Sequence, residues 1–328
     1  LNWVLRWKGE RKVVSKKYSL RFNVSTLQPY LELRNTKYEI RNTKYFFREQ
    51  RTENREQRTE NREQRTENRE QRMWYIPKAY LKFLRKATNQ HGVHSPFVYA
   101  FVTQCLYDRK SKDYYQKLKQ YRRDLLSTSE VIEVTDFGAG SRVFKSNTRA
   151  VKDIAKHAGA TLKRMKLLYR VVSYFKPKTI LELGTSLGLA TSALALPKNG
   201  KVTSLEGCLQ TADVARKALS TGKIDAVEIL TGDFAETIKH QKNRNFDLIY
   251  FDGNHSKEAT LAYFEALLPT AHNDSIWIFD DIYWSEGMTE AWEHIKQHPK
   301  VRVTVDCFWL GFVFFRAEQA KEHFKIRL

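Results

Sequence analysis

The run FDLIYFDGNH ends an apolar stretch on Asp252, turns at Gly253 and sets His255 three residues after the acid. A buried strand that breaks there puts a carboxylate and an imidazole where strand meets loop, a pairing suited to moving a proton at a bound group. A second acidic pair, Asp280 and Asp281, ends SIWIFDD, and Trp284 follows closely. Upstream, LELGTSLGLATSALA carries Gly184 and Gly188, which permit a tight turn and a close approach of backbone to a ligand at the start of the next helix. Ser186 and Leu189 stand where a dinucleotide fingerprint needs its second and third glycines, so that reading fails.

The elements that must position these residues follow from hydrophobic patterning. From residue 178 short apolar runs (KTILELG, KVTSLEG, AVEILTGD, FDLIYFD, SIWIFDD) recur, each but the last separated by a helix-length stretch, and the pattern predicts a parallel sheet wound on both faces. VRVTVDCFW and LGFVFFR are joined by almost nothing and predict an antiparallel hairpin at one edge. In such α/β sheets ligands sit beyond the carboxyl ends of the strands. Before 178 the chain reads as helices and loops: SPFVYAFVTQCLY with Ser95 as cap and Pro96 at the first helical position, a basic KDYYQKLKQYRRDLL, and a helix near 161–175 that carries Leu162, Met165, Leu168, Tyr169, Val172 and Phe175 on one face until Pro177 stops it.

Five parallel strands and a terminal hairpin, with the E-x-G-x-x-x-G loop headed by Glu182, resemble the class I S-adenosylmethionine (SAM) methyltransferases. The resemblance implies a Rossmann-like, doubly wound sheet of order 3-2-1-4-5-7-6 behind an N-terminal helical segment. It implies a SAM site at Glu182, Gly184, Thr185, Ser186 and Gly188. Glu206, at the end of the second strand, would hold the ribose hydroxyls, Asp233 in TGDF would meet the adenine amino group, and Asp252 would line the same site. Asp252, Asp280, Asp281 and Trp284 further resemble the catechol O-methyltransferase-like branch, in which such acids bind Mg2+ and hold substrate oxygens beside the methyl donor. His255 resembles the general base of related sugar-modifying O-methyltransferases. The function implied is O-methylation of a small hydroxylated molecule, with Asp252 and His255 catalytic.

Two other functions stay open. Basic residues at 109–123, with Tyr114, Tyr115 and Tyr121, would suit a nucleic-acid methyltransferase, and a non-catalytic SAM-binding module would share the cofactor residues. Bland readings stand beside the site: Asp280 and Asp281 as caps of a helix near Ser285, His255 as cap of helix 256–268, and HGVHSPF as a helix entry; DFGAGS at 136–141, without the context of a nucleotide loop, reads as a glycine-hinged lid over the SAM site.

Charge needs its distribution before it is used. The 328 residues carry a formal +20, but residues 51–71 are three copies of RTENREQ, a heptad with no apolar position and therefore no coiled-coil seam. Tandem AGAACAG encodes that repeat, and tandem CGAAATA encodes the RNTKYEIRNTKY just upstream. Residues 1–72 lack Ala, Asp, His, Cys and Met, so this segment reads as translated upstream repeat DNA, with the natural start expected at Met73; a disordered basic tail is the alternative. It holds 19 basic and 10 acidic residues, a net +9, so much of the basicity falls outside the folded part. The expected organisation is 1–72, a helical segment 73–160 and a methyltransferase domain 161–328. No apolar run approaches the roughly 20 residues of a membrane span, and no secretory leader is seen, which predicts a cytoplasmic protein. Three scattered cysteines suggest neither disulfides nor zinc, and nothing in the sequence sets the oligomeric state.

Overall fold

The computed structural model describes residues 74–135 and 146–328; the repeats, Met73 and DFGAGS lie outside them. Helix α1 (74–86) sets Phe83 against Phe308 at 5.5 Å between ring centroids. In α2 (Pro96–Phe101) the Ser95 hydroxyl accepts from Val98 N, and Pro96 takes the first-turn position where a missing N–H costs nothing. His91 and His94 of HGVHSPF are exposed. A π turn at Val102–Leu106 continues α2, and two of its carbonyls, Cys105 O and Leu106 O, accept from the Arg170 guanidinium. Helix α3 (Tyr114–Ser127) buries Tyr115, Leu118, Tyr121 and Leu125. A short antiparallel hairpin of β1 (Val131–Glu133) and β2 (Thr148–Ala150), absent from the sequence expectation, leads into α4 (Val151–His157). Helix α5 (Leu162–Phe175) starts where Thr161 caps Arg164 N and stops at Lys176 in a left-handed conformation, φ 52°, immediately before Pro177.

The alternation then produces β3 (Thr179–Leu183), α6 (Leu189–Ala195), β4 (Lys201–Glu206), α7 (Leu209–Thr221), β5 (Val227–Thr231), α8 (Phe234–Lys239), β6 (Leu248–Phe251), α9 (Lys257–Leu267), β7 (Ile276–Asp280), α10 (Glu286–Gln297), β8 (Val303–Asp306), β9 (Leu310–Phe314) and β10 (Glu322–Lys325). Strands β6 and β7 are buried along their whole length because helices cover both faces, which is why they read as unbroken apolar runs. Trp277, Phe279, Tyr250 and Phe264 are among the largest wholly buried side chains. A Leu or Phe taken out of water at such a site contributes about 1.5–3 kcal/mol.

The sheet order β10-β8-β9-β7-β6-β3-β4-β5 contains the expected five parallel strands and the antiparallel hairpin, with β9 between β7 and β8. It adds an unforeseen edge strand, β10, parallel to β8. Register carries the functional consequence. Leu183 pairs with Leu205 and with Phe251, and Phe251 with Phe279. The next residue along each of these four strands is therefore Gly184, Glu206, Asp252 and Asp280, in one row along the carboxyl edge. No helix among the described residues is long and apolar enough to cross a membrane.

Candidate functional site

The loop from β3 to α6 is built around what it cannot contain. Gly184 has φ +99°, and a Cβ there would lie 2.4 Å from the Asp252 carbonyl oxygen, so only glycine lets β3 and β6 end side by side. Gly188 answers to packing: its φ is +74°, and a Cβ would meet the Tyr121 hydroxyl at 2.6 Å. That hydroxyl donates to Leu187 O at 2.9 Å, so α3 fixes the loop from behind. Glu182 is wholly buried; its Oε2 accepts from Thr191 Oγ1 at 2.6 Å and from Ser204 Oγ at 2.5 Å. Burial pushes the Glu182 carboxyl up to about 8, against the two hydroxyl donors and with a small push from Glu206. Thr185, also buried, bonds Ser204 Oγ at 2.5 Å. Glu182, Thr185 and Gly188 thus hold the loop and are not among the residues that line the cavity beside it.

Ser186, Gly184, Glu206, Asp233 and Asp252 do line that cavity, of about 320 Å3, at the carboxyl edge. Glu206 Oε2 accepts from Ser186 N at 2.7 Å and Oε1 from Cys208 N at 2.9 Å. Burial raises the Glu206 pKa while the backbone N–H groups pull it back. Each oxygen keeps a second lone pair, so the pair can accept from two neighbouring hydroxyls, as a ribose would offer. Asp233 caps α8 through Ala235 N at 2.8 Å and is exposed at the rim. Sequence reasoning missed Thr135 and Arg149, brought in by the β1–β2 hairpin, and Cys208, Asn254 and Tyr263. The missing glycine Cβ and the backbone-held Glu206 fit a nucleoside cofactor.

Beside this cavity lies a charged cluster. The Tyr250 hydroxyl sits between two carboxylates, 2.9 Å from Asp280 Oδ2 and 3.2 Å from Asp252 Oδ2. Burial and the neighbouring Asp280 hold the Asp252 pKa well above the usual carboxylate range. Asp281, in a left-handed conformation with φ 50°, is raised by burial and by Asp280 as well. Arg164, from α5, donates from Nη1 to Asp280 Oδ2 at 2.5 Å and from Nη2 to Asp281 Oδ1 at 3.1 Å. Burial pulls the Arg164 pKa down, but Asp280, Tyr250, Asp281 and Asp252 more than offset this, and the guanidinium stays charged. Arg164 was not foreseen; the available signal was a charge one helical turn before Leu168 and two before Val171 on the buried stripe of α5. His255 Nε2 lies 3.6 Å from Asp252 Oδ1, and its ring centroid is 6.3 Å from that of Trp284.

The bland readings of these residues find other occupants. Ser256 caps α9 through Ala259 N, and Ser285 caps α10 through Met288 N, so neither His255 nor the aspartate pair is a helix cap. Tyr115 and Tyr121 are buried and unable to stack on bases. The Mg2+ site implied by Asp252, Asp280 and Asp281 does not fit as arranged. The Arg164 fork bridges two of the three acids, Tyr250 takes a further position on Asp280 Oδ2, and Asp280 Oδ1 accepts from Asp281 N. An ion that demands oxygens at about 2.0–2.1 Å in octahedral geometry would have to expel the guanidinium. Among the described residues no group of three His, Cys, Asp or Glu is arranged to hold a metal.

Comparison with known proteins bears on this site. Residues 181–282 match the family described as methyltransferase domain. The chain is similar to a catechol O-methyltransferase of Mycobacterium tuberculosis, 29% identical over 126 residues, which is 38% of this chain and 56% of that protein. A catechol O-methyltransferase of Niastella koreensis is 32% identical over 123 residues, 36% of this chain and 55% of that protein. The chain thus spans about half the length of these curated relatives. Among solved structures, the O-methyltransferase from Bacillus cereus in complex with SAH has a TM-score of 0.44 at 19% identity, covering 66% of this chain and 96% of that one. The SAH-bound methyltransferase of Podospora anserina has a TM-score of 0.48 at 14% identity, covering 68% and 97%.

Proposed function

We propose that this chain, which carries a class I methyltransferase domain over residues 181–282, is a SAM-dependent O-methyltransferase acting on a small hydroxylated acceptor. The observation that carries the reading is the row Gly184, Glu206, Asp252 and Asp280 along one edge of the sheet. The first three residues of the row border the cavity, and the last two reach the charged cluster next to it. When bound, SAM supplies a methyl group on a sulfonium sulfur, so the S–C bond breaks as the O–C bond forms and the leaving sulfur needs no proton.

The chain's own residues have two tasks. Glu206 and the Gly184–Ser186 loop fix the nucleoside, with Asp233 at the rim. His255 receives the acceptor's hydroxyl proton at the ring nitrogen not facing Asp252, whose Oδ1 lies 3.6 Å from Nε2. The finer expectation of a magnesium-assisted reaction would require Arg164 to leave Asp280 and Asp281. The reading favoured by the ion pairs is that the guanidinium is the fixed positive charge beside the acceptor oxygen. Calorimetric titration with S-adenosylhomocysteine tests the assignment. Micromolar binding is expected, weakened by about 1.5–3 kcal/mol in Glu206→Ala, the usual worth of charge-assisted hydrogen bonds. Unchanged affinity in that variant would remove Glu206 from the site.

A further inference from the structure

Arg164 also borders a groove of about 490 Å3, walled by Tyr80 and Phe83 of α1, Leu167 of α5, and Phe308 and Trp309 of the β8–β9 turn. It adjoins the charged cluster at two points. Arg164 itself lines it, and Trp309, another wall residue, accepts through its carbonyl from Asp281 N at 2.8 Å. Lys163, Leu167, Arg327 and Leu328 line both this groove and a second, wider hollow of about 870 Å3, so the two adjoin and are taken together as one trough. The two ends differ in chemistry. The first presents aromatic faces, with Phe308 and Tyr283 stacked at 4.8 Å behind it. The second is cationic. Its side-chain carboxylate, Asp108, is taken by Lys112 at 2.9 Å, and Arg170 is taken by the Cys105 and Leu106 carbonyls. Lys163, Arg109, Lys166 and Arg327 have no carboxylate within 4.0 Å among the described residues, although Lys166 also lies over the Tyr115 ring at 4.9 Å.

We infer that the trough takes an acceptor with two ends, a flat hydroxylated ring that seats among Tyr80, Phe83, Phe308 and Trp309, and a carboxylate that reaches Lys163, Lys166 and Arg327. The inference rests on the methyltransferase reading and adds the substrate class. A neutral ring alone would fill the aromatic end and leave the cations facing water. A carboxylate on the same ring gains charge-assisted hydrogen bonds from them. An amine there would meet mostly like charge, the opposite charge being Asp108, already paired with Lys112, and the carboxyl end of the chain at Leu328.

Three probes share one ring and differ in charge: 3-(3,4-dihydroxyphenyl)propanoate, catechol and 2-(3,4-dihydroxyphenyl)ethylamine. Each is titrated by calorimetry into the full chain saturated with S-adenosylhomocysteine. The propanoate is expected to bind about tenfold more tightly than catechol, a difference of about 1.4 kcal/mol, with the amine weakest. The double variant Lys163→Glu, Arg327→Glu, both exposed positions, is expected to lose that advantage and favour the amine, while its affinity for S-adenosylhomocysteine stays that of the wild type. Equal affinity for the three probes, binding of none of them, or a propanoate preference that survives the double variant would each overturn the inference. Failure of S-adenosylhomocysteine to bind would instead sink the methyltransferase reading, and the probe titrations on the chain alone would still score the trough.

Discussion

The cofactor edge of the sheet and the acceptor side of the cluster lie next to each other but are assembled in opposite ways. At the cofactor edge each functional residue ends its own strand, and neighbouring strands align the ends by register. The supporting residues, Glu182, Thr185 and Ser204, come from the same two strands and the loop between them. On the acceptor side Arg164 comes from α5, Asp280 and Asp281 from the end of β7, Trp309 from the β8–β9 turn, and Tyr80 from α1, more than 200 residues away from Trp309 along the chain. The first arrangement is fixed by local pattern and parallel pairing. The second exists only once the helical segment has docked. Under the proposed function, binding of the methyl donor and choice of the acceptor are therefore separable, and substitutions should divide along that line.

The largest expected separation is at His255. His255→Ala should lower turnover by roughly 10²- to 10⁴-fold, the usual worth of a positioned general base, while leaving S-adenosylhomocysteine affinity within error. The loss should shrink as pH rises, because an acceptor hydroxyl that ionises in bulk water no longer needs the imidazole. Steady-state rates against pH for both proteins decide it. A variant with the wild-type rate and profile would remove His255 from the reaction.

That division also explains what was legible in the sequence. Gly184, Glu206, Asp252 and Asp280 each close an apolar run, and such endings can be read without knowing which strands pair. Glu182 and Gly188 belong to the same motif and also hold the loop, which motif spacing does not reveal: Tyr121 backs the glycine, and Thr191 and Ser204 take the carboxylate. Strand β10 is four residues, EHFK, two of them exposed, and its pairing with β8 has no periodic signature. The β1–β2 hairpin has only three residues per strand. Arg164 left a faint trace, a charge on a buried helical stripe, but its partners lie 116 and 117 residues onward.

A smaller effect sharpens the cofactor side. Glu182 in the folded chain titrates near 8, against an ordinary glutamate value of 4.5, so its raised pKa favours folding most at low pH. As pH climbs from about 4.5 to about 8 the unfolded chain gives up this proton and the folded chain keeps it, so stability falls, by at most about 1.4 kcal/mol per pH unit. Glu206, Asp252 and Asp281 are raised too and contribute in the same direction. Urea unfolding at pH 5 and pH 8 should therefore show a smaller pH difference in Glu182→Gln than in the wild type. Identical differences would mean that Glu182 is ionised in its buried site.

On the proposed function, methyl transfer runs on the aspartate-held Arg164 with His255 as base. That assignment is tested most directly by following methylation of 3-(3,4-dihydroxyphenyl)propanoate from SAM after exhaustive dialysis against a chelator, in the wild type and in Arg164→Ala. Undiminished turnover is expected in the chelated wild type, with loss of turnover in Arg164→Ala and S-adenosylhomocysteine still bound. Turnover that vanishes with the chelator and returns with added Mg2+ would contradict the assignment, and would hand the cation's place back from Arg164 to a metal on Asp252, Asp280 and Asp281.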